Sequence, residues 1–153
     1  APEALTLAAA IENLKIYKSD NVIKNFWMKG EYVEKNFIKI IEKYNIQNYV
    51  SLAGYPVRLM VNTHHVNGTQ DPILSTLYQQ EMFKNGILCF SGVLMLSMSH
   101  KKNDLNLLIK AFDKTCEKIS LAVSRKKSFR SLLTCKPMSP VFKGLRERNA
   151  VSN

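Results

Sequence analysis

The stretch 71–123 reads DPILSTLYQQEMFKNGILCFSGVLMLSMSHKKNDLNLLIKAFDKTCEKISLAV, and the order of elements that it predicts decides the fold. Asp71 and Pro72 predict the start of a helix, because Asp accepts hydrogen bonds from first-turn N–H groups and Pro suits the first helical position. Gly86 predicts the end of that helix after Asn85. The apolar positions between them recur at helical spacing: Leu74, Leu77, Tyr78 and Phe83.

Two short apolar runs, 87–90 and 93–98, follow Gly86, and the turn signal Ser91-Gly92 separates them. They predict a hairpin of two short strands. Asn103 or Asp104 then predicts the cap of a last helix. Its apolar positions also recur at helical spacing: Leu105, Leu108, Phe112, Ile119 and Val123.

Two helices are predicted before this stretch. The first is alanine-rich, runs to about Tyr17, and is expected to pack closely against a neighbour; its abrupt start favours a piece of a longer chain. Ser19-Asp20 predicts the cap of a second helix, which ends near Tyr44 and is about 35 Å long. Gly30 interrupts this helix, which indicates a close neighbour that needs the space. Trp27 is interpreted as a core anchor rather than a binding platform.

Residues 49–53 and 57–63 predict two strands around the turn Gly54-Tyr55-Pro56. In the second strand Val57, Leu59 and Val61 alternate with polar or long side chains, so they face one side. Together with the helices, this predicts an α+β fold with a small antiparallel sheet.

After Val123 the sequence predicts one or two more helical turns within 126–133 and then a proline-broken extended tail at 135–143. Val141 and Phe142 are expected to anchor this tail along the body of the protein, and residues 146–153 are expected to fray.

The chain has 153 residues, of which 46% are apolar, enough for the core of one domain. No apolar run is long enough for a membrane span, and the apolar run 5–11 lacks the basic lead of a signal peptide. The odd count of three cysteines, Cys89, Cys116 and Cys135, indicates reduced thiols. A soluble cytoplasmic protein is the prediction.

The net charge of +10 raises the alternative of a free-standing basic module that binds nucleic acid or another polyanion. The densest basic cluster is Arg125-Lys126-Lys127 with Arg130. Nucleic-acid recognition usually adds aromatic residues beside such a cluster, and Phe129 alone does not provide them. Nucleic acid is therefore the less favoured partner.

Motifs for independent catalysis are missing from the sequence. There is no G-x-S-x-G elbow, glycine-rich phosphate loop or H-E-x-x-H pair. His64-His65 suggests a metal site, but neighbours on an extended segment point in opposite directions and no other ligands repeat nearby, so no metal is predicted. Asn67-Gly68-Thr69 matches a glycosylation acceptor but reads first as a turn, in a loop 66–70 expected to be mobile. The residues predict a lid or accessory domain and not a complete enzyme.

The motif EALTLAAAI at 3–11 resembles the G-G-E-A-L-S-L-A-A-A helix of glutamate-1-semialdehyde 2,1-aminomutase-like proteins, which are class III (fold-type I) pyridoxal-phosphate aminotransferases. Further motifs of that family's C-terminal domain follow in the same order. They are VSLAGYP at 50–56, YQQEM at 78–82, GIL at 86–88, the G-x-x-x-x-S-x-x-H pattern from Gly92 to His100, and PVF at 140–142.

The resemblance implies that residues 1–124 form the small C-terminal domain, with 1–18 as a linking helix from a large domain, and that 125–153 form a basic extension. It also implies a cytoplasmic homodimer that uses pyridoxal phosphate. The Schiff-base lysine would lie upstream, so the fragment is expected to bind no cofactor, to contain no catalytic residue and to be inactive alone. Its expected role is to close over the substrate.

The same resemblance places Ser91, Gly92, Leu94 and Met95 at the rim of the substrate pocket. The alternative is that Leu94 and Met95 simply pack in the core. Relatives often have His-Asn where this chain has Leu94-Met95, so an aminomutase substrate, an amino acid and an amino sugar all stay open. Ala1-Pro2 also departs from the family's Gly-Gly.

Overall fold

The computed structural model describes residues 3–89 and 92–138. This part of the chain contains four α-helices, two strands and one 3-10 turn. In chain order they are α1 (Ala4–Ser19), α2 (Val22–Lys43), β1 (Val50–Tyr55), β2 (Arg58–Thr63), α3 (Pro72–Lys84), α4 (Lys102–Ser124) and the 3-10 turn Phe129–Leu132. The predicted α+β class is confirmed, with a short antiparallel sheet packed against helices.

The core lies where α2, α3 and α4 meet the sheet. Phe37 of α2 stacks on Phe112 of α4, and Tyr78 of α3 meets the ring of Phe112 edge-on. All three side chains are at most 1% exposed. Each such burial stabilises the fold by about 1.5–3 kcal/mol, so these rings fix how the three helices pack.

The hairpin of β1 and β2 has a continuous antiparallel register from Val50 opposite Thr63 to Tyr55 opposite Arg58. Leu59 and Val61 are buried, whereas Met60 is exposed, so the predicted alternation is confirmed. A β-carbon on Gly30 would lie 2.2 Å from the carbonyl oxygen of Pro56 in the hairpin turn. The predicted need for space at this glycine is therefore confirmed, because α2 passes directly against the turn.

Helix α3 begins as predicted. Oδ1 of Asp71 accepts hydrogen bonds from the backbone N–H groups of Ile73 and Leu74 at 2.9 and 3.0 Å. Gly86, with φ +83°, follows the last turn. The predicted apolar stripe is wrong at Phe83, which is 67% exposed, and the fully buried Met82 takes the place in the core instead.

The predicted hairpin at 87–98 is wrong for the residues that the structure describes. Residues 87–89 and 93–98 form no regular strands, and Phe90 and Ser91 lie outside the described ranges. Gly92 and Leu94 instead exchange hydrogen bonds with β2, from the N–H of Val61 to the Gly92 carbonyl and from the Leu94 N–H to the Leu59 carbonyl, both at 2.9 Å. This contact is a single bridge between Met60 and Val93, and further along the segment Lys29 of α2 bonds to the carbonyls of Ser97 and Met98.

Helix α1 projects from the core and touches α2, and none of its residues is buried. The close packing expected for it is therefore not found within the described chain. The predicted Ser19-Asp20 cap is also wrong: Asp20 ends α1, and Asn21, with φ +49°, precedes α2 without a side-chain capping bond. Asn tolerates this left-handed conformation better than most residues, and here it forms the joint between the two helices.

Trp27 is not the predicted core anchor. Its side chain is 39% exposed and meets the ring of Tyr55 edge-on, with centroids 6.3 Å apart. Tyr55 is itself 72% exposed. This aromatic pair lies at the surface because the core side of α2 is already filled by Val33, Phe37 and Ile41.

The start of α4 differs by two residues from the predicted cap at Asn103 or Asp104. The helix begins at Lys102, and Asp104 lies at its third position. There Oδ2 of Asp104 accepts a hydrogen bond at 2.7 Å from the N–H of Lys101. The carboxylate therefore still stabilises the first turn, but from inside the helix.

The chain after α4 runs back along α3. The predicted helical turn is confirmed by the 3-10 turn Phe129–Leu132. The side-chain amide of Gln80 donates to the Leu132 carbonyl at 3.0 Å and accepts from the Thr134 N–H at 2.7 Å. Met138 donates its N–H to Oγ1 of Thr76 at 2.9 Å. The predicted anchors Val141 and Phe142 and the end 146–153 lie outside the described residues.

Candidate functional site

A cleft of about 300 Å³ lies between the turn after α3, the segment that follows Gly92, and the first turns of α4. Its walls are mostly aliphatic, with three polar side chains among them. The residues that line it include Leu88, Cys89, Leu94, Met95, His100, Asp104 and Leu107.

The structure places the four predicted pocket residues differently. Ser91 lies outside the described residues. Gly92 packs its α-carbon so closely on β2 that a β-carbon would lie 2.2 Å from the carbonyl oxygen of Val61, and it does not line the cleft. Leu94 lines the inner wall and is 5% exposed, as part of the core, whereas Met95 lines the mouth and is 78% exposed. The cleft therefore brings together Leu94 and Met95, and only Met95 offers a free surface.

Three polar side chains line the cleft that the sequence analysis did not assign to the pocket: Cys89, His100 and Asp104. Nδ1 of His100 accepts a hydrogen bond from the Ser97 N–H at 3.0 Å, which leaves Nε2 as the protonated nitrogen of the neutral ring. Asp104 is engaged at Lys101, as described above. Cys89 is half-buried, and burial raises the pKa of its thiol. A protonated thiol is a poor nucleophile, so Cys89 is poorly suited to attack a substrate.

Behind Cys89 lies the hydroxyl of Tyr78, which is buried and has no hydrogen-bond partner among the described residues. Burial raises its pKa well above the ordinary value. The phenol is therefore neutral, and its edge-on contact with Phe112 makes it a packing residue. The sequence gives no sign that Tyr78 lies behind the cleft, because this residue fits the apolar stripe of α3 like any other core position.

The cleft does not by itself fit pyridoxal phosphate. The described residues that line it include no lysine for a Schiff base and no arginine for the phosphate. The chemistry of an electron-sink cofactor would therefore have to be supplied from outside this cleft.

The histidine pair His64-His65 and the turn at Asn67-Gly68 lie outside the cleft. Within 3–89 and 92–138 no group of three or more His, Cys, Asp or Glu side chains could hold a metal ion. Nδ1 of His65 lies 3.3 Å from Oδ2 of Asp71, while Nδ1 of His64 is 3.2 Å from the carbonyl oxygen of His65. The Asn67-Gly68 turn is confirmed, with Gly68 at φ +83°.

The basic cluster at Arg125, Lys126, Lys127 and Arg130 is exposed as predicted for a solvated face. Phe129 is half-buried and meets the ring of Tyr49 edge-on, with centroids 5.9 Å apart. The one aromatic residue in this cluster is therefore used in packing, which removes it as a stacking platform for bases.

Comparison with known proteins finds similarity both in sequence and in structure. No family model matches the chain. Over 101 residues it is 32% identical to "Glutamate-1-semialdehyde 2,1-aminomutase 1" of Staphylococcus carnosus (strain TM300), a match that covers 60% of this chain and 23% of that protein. Its fold is similar to that of the FumI protein of Sphingopyxis sp. MTA144, solved in its PLP internal aldimine form. The TM-score is 0.68 at 15% identity, over 88% of this chain and 29% of that one.

The two matches support the resemblance drawn from the sequence: the chain is similar to the C-terminal domain of pyridoxal-phosphate aminotransferase-like proteins. The chain spans about a quarter of the length of each protein that it matches. In addition, none of the described helices is long and apolar enough to cross a membrane.

Proposed function

We propose that this chain is the C-terminal domain of a cytoplasmic, homodimeric pyridoxal-phosphate aminotransferase or aminomutase and closes over the substrate of the full-length enzyme. The observation that carries the proposal is the sequence match to an aminomutase, over a chain whose fold matches that of a protein solved with pyridoxal phosphate. Residues 1–18 act as the link to the large domain, and 125–153 form a basic extension.

The surface of α1 supports a partner of this kind. Its large apolar side chains are between 43% and 78% exposed, and they lie on opposite sides of the helix. A helix that is apolar on more than one side is usually buried among its neighbours. A large domain that covers α1 would bury this surface, and the exposed pair Trp27 and Tyr55 at the far end of the sheet would enlarge the contact.

The cleft supports a role next to a substrate. Its lining is mostly aliphatic with a few polar side chains, among them His100 and Asp104, which is the composition of a small-molecule site. It lacks its own cofactor residues, so catalysis depends on the large domain. The 153-residue chain alone is expected to be inactive.

The test compares the full-length gene product with this chain. The full-length protein, incubated with pyridoxal phosphate, is expected to show the visible absorbance of a lysine Schiff base and to transfer an amino group from a suitable donor. The chain alone is expected to show neither. A gene that begins at Ala1, or a full-length protein without Schiff-base absorbance, would contradict the proposal.

A polyanion-binding module predicts a different result. Its binding to a labelled oligonucleotide would weaken steeply as salt is raised. With Phe129 packed on Tyr49, base stacking adds nothing to that charge attraction. The absence of any shift of the oligonucleotide at low salt would eliminate this alternative.

A further inference from the structure

The segment 92–100 is irregular in structure but held at many points. Its start is bonded to β2 through Gly92 and Leu94, as described above. Near its end, Ser97 and His100 exchange two hydrogen bonds: the Ser97 N–H donates to Nδ1 of His100 at 3.0 Å, and the His100 N–H donates to the Ser97 carbonyl at 3.3 Å. Both ends of the segment are therefore fixed.

Lys29 of α2 adds a third attachment from a distant part of the chain. Its Nζ donates hydrogen bonds to the carbonyl oxygens of Ser97 at 3.2 Å and Met98 at 2.8 Å. A hydrogen bond from a charged group is stronger than one between neutral groups. Lys29 thus satisfies two adjacent backbone carbonyls of the segment from a different helix.

Met95 lies in the middle of the held segment and is 78% exposed at the cleft mouth, while the preceding Leu94 is buried in the core. Leu88 and Leu107, which are 86% and 49% exposed, line the same cleft. The attachments therefore present one flexible apolar side chain beside two others. Rigid support of this kind is how proteins position a binding residue.

We infer that Met95 is a specificity-determining residue, that it receives the apolar part of an amine substrate, and that Lys29 is the positioning residue that holds it there. This inference rests on the proposed function and adds the substrate class to it. The favoured substrate has an uncharged hydrocarbon end away from its reacting amine. Once the large domain covers these side chains, a carboxylate at that end would be desolvated against three aliphatic groups, and the described lining of the cleft offers no lysine or arginine to pair with it.

The first experiment measures kcat and KM of the full-length holoenzyme with pairs of amines of equal length, one ending in a methyl group and one in a carboxylate. Met95→Asn is expected to lower kcat/KM for the methyl-ended amine by about tenfold, as loss of apolar pocket contact does. The loss should appear mainly in KM, and the carboxylate-ended amine should change little. Phe83→Asn is the control, since Phe83 is also an exposed apolar residue but does not line the cleft.

The second experiment tests Lys29. Lys29→Met is expected to speed amide hydrogen exchange at residues 93–98 and to reduce the preference for the methyl-ended amine. Lys29→Arg, which keeps donors for both carbonyls, should restore both. Lys35→Met is the control, because it makes the same change at an exposed position of α2.

The outcomes separate the two proposals. A holoenzyme that transfers amino groups but keeps its preference in Met95→Asn, or that prefers the carboxylate-ended amine, overturns this inference and leaves the proposed function intact. Unchanged exchange at 93–98 in Lys29→Met overturns the role of Lys29. A full-length protein without Schiff-base absorbance or amino transfer overturns both proposals.

Discussion

The rings of Phe37 and Phe112 lie face to face, with centroids 3.7 Å apart and planes within 5° of parallel. Both side chains are fully buried, so this stack joins α2 to α4 at the centre of the core. It forms because the two longest helices of the described chain each place a phenylalanine on their buried side at the same level. The stability of the fold should therefore depend strongly on either ring.

Phe112→Ala is expected to lower the free energy of unfolding by about 3–5 kcal/mol, because it removes a large buried side chain and leaves a cavity. Urea unfolding followed by circular dichroism measures the change. Phe83→Ala is the matched control: its ring is 67% exposed, so a change of no more than about 0.5 kcal/mol is expected. Equal losses in the two variants would contradict the assigned core.

Gly30→Ala should destabilise the protein although alanine favours helices by about 1 kcal/mol over glycine. The new β-carbon would lie 2.2 Å from the carbonyl oxygen of Pro56. The backbone of α2 or of the hairpin turn would have to shift to relieve this clash, which destabilises the fold by about 1–3 kcal/mol. Thermal and urea unfolding give the sign of the effect. Lys35→Ala, at an exposed position on the same helix, should be nearly neutral. A stabilised Gly30→Ala protein would show that α2 does not lie against the hairpin turn.

Ionisation of Glu81 should make the free energy of unfolding depend on pH in the acid range. Burial acts to raise the pKa of its carboxyl, but hydrogen bonds from Lys118, Gln80 and Lys84 outweigh burial and leave the pKa below its ordinary value. A lowered native pKa gives stability that is present above the unfolded value of about 4.3 and is lost as pH falls through the native pKa. Urea unfolding from neutral pH downwards should show this loss, and Glu81→Gln should flatten it.

The control for this prediction is Glu12→Gln. The side chain of Glu12 is 67% exposed and pairs with Lys15 on the surface of α1. Surface pairs contribute about 0–1 kcal/mol, so the acid limb should keep its shape. Identical profiles for the two variants would contradict the role of Glu81.

The three cysteines should react in an order set by exposure. Cys135 is exposed, Cys89 is half-buried at the cleft, and Cys116 is fully buried, where burial raises the pKa of its thiol. Alkylation with iodoacetamide, followed by peptide mass spectrometry, should label Cys135 first and Cys116 last. In denaturing urea the three rates should converge. Rapid labelling of Cys116 under native conditions would be the contrary result.

Sequence reasoning predicted the elements whose signals are local. The helix start at Asp71 and Pro72 needs only the residues of its own first turn, and the alternation around Leu59 marks a strand with one buried face. Gly30 indicated its close neighbour correctly, although not which residue that neighbour was. For these features the prediction agrees with the structure, because they depend on short-range geometry.

The failures depend on distant partners. Residues 93–98 have strand composition, but Lys29 occupies the carbonyls of Ser97 and Met98 from 68 and 69 positions away. Trp27 is a residue type often found in cores, yet Val33, Phe37 and Ile41 already fill the core side of α2. At the cleft, the resemblance indicated Leu94 and Met95, while only tertiary packing shows that one is buried and the other exposed.

The joint at Asn21 has a mechanical consequence. Helix α1 has 16 residues, and with a rise of about 1.5 Å per residue it is about 24 Å long. Two residues, Asp20 and Asn21, join it to α2, and of these Asn21 has a left-handed conformation. A change of about 15° at this joint would move the far end of α1 by about 6 Å over that length. A small change in the backbone torsion angles of Asn21 would therefore displace the N-terminal end of α1, where any preceding chain would be attached.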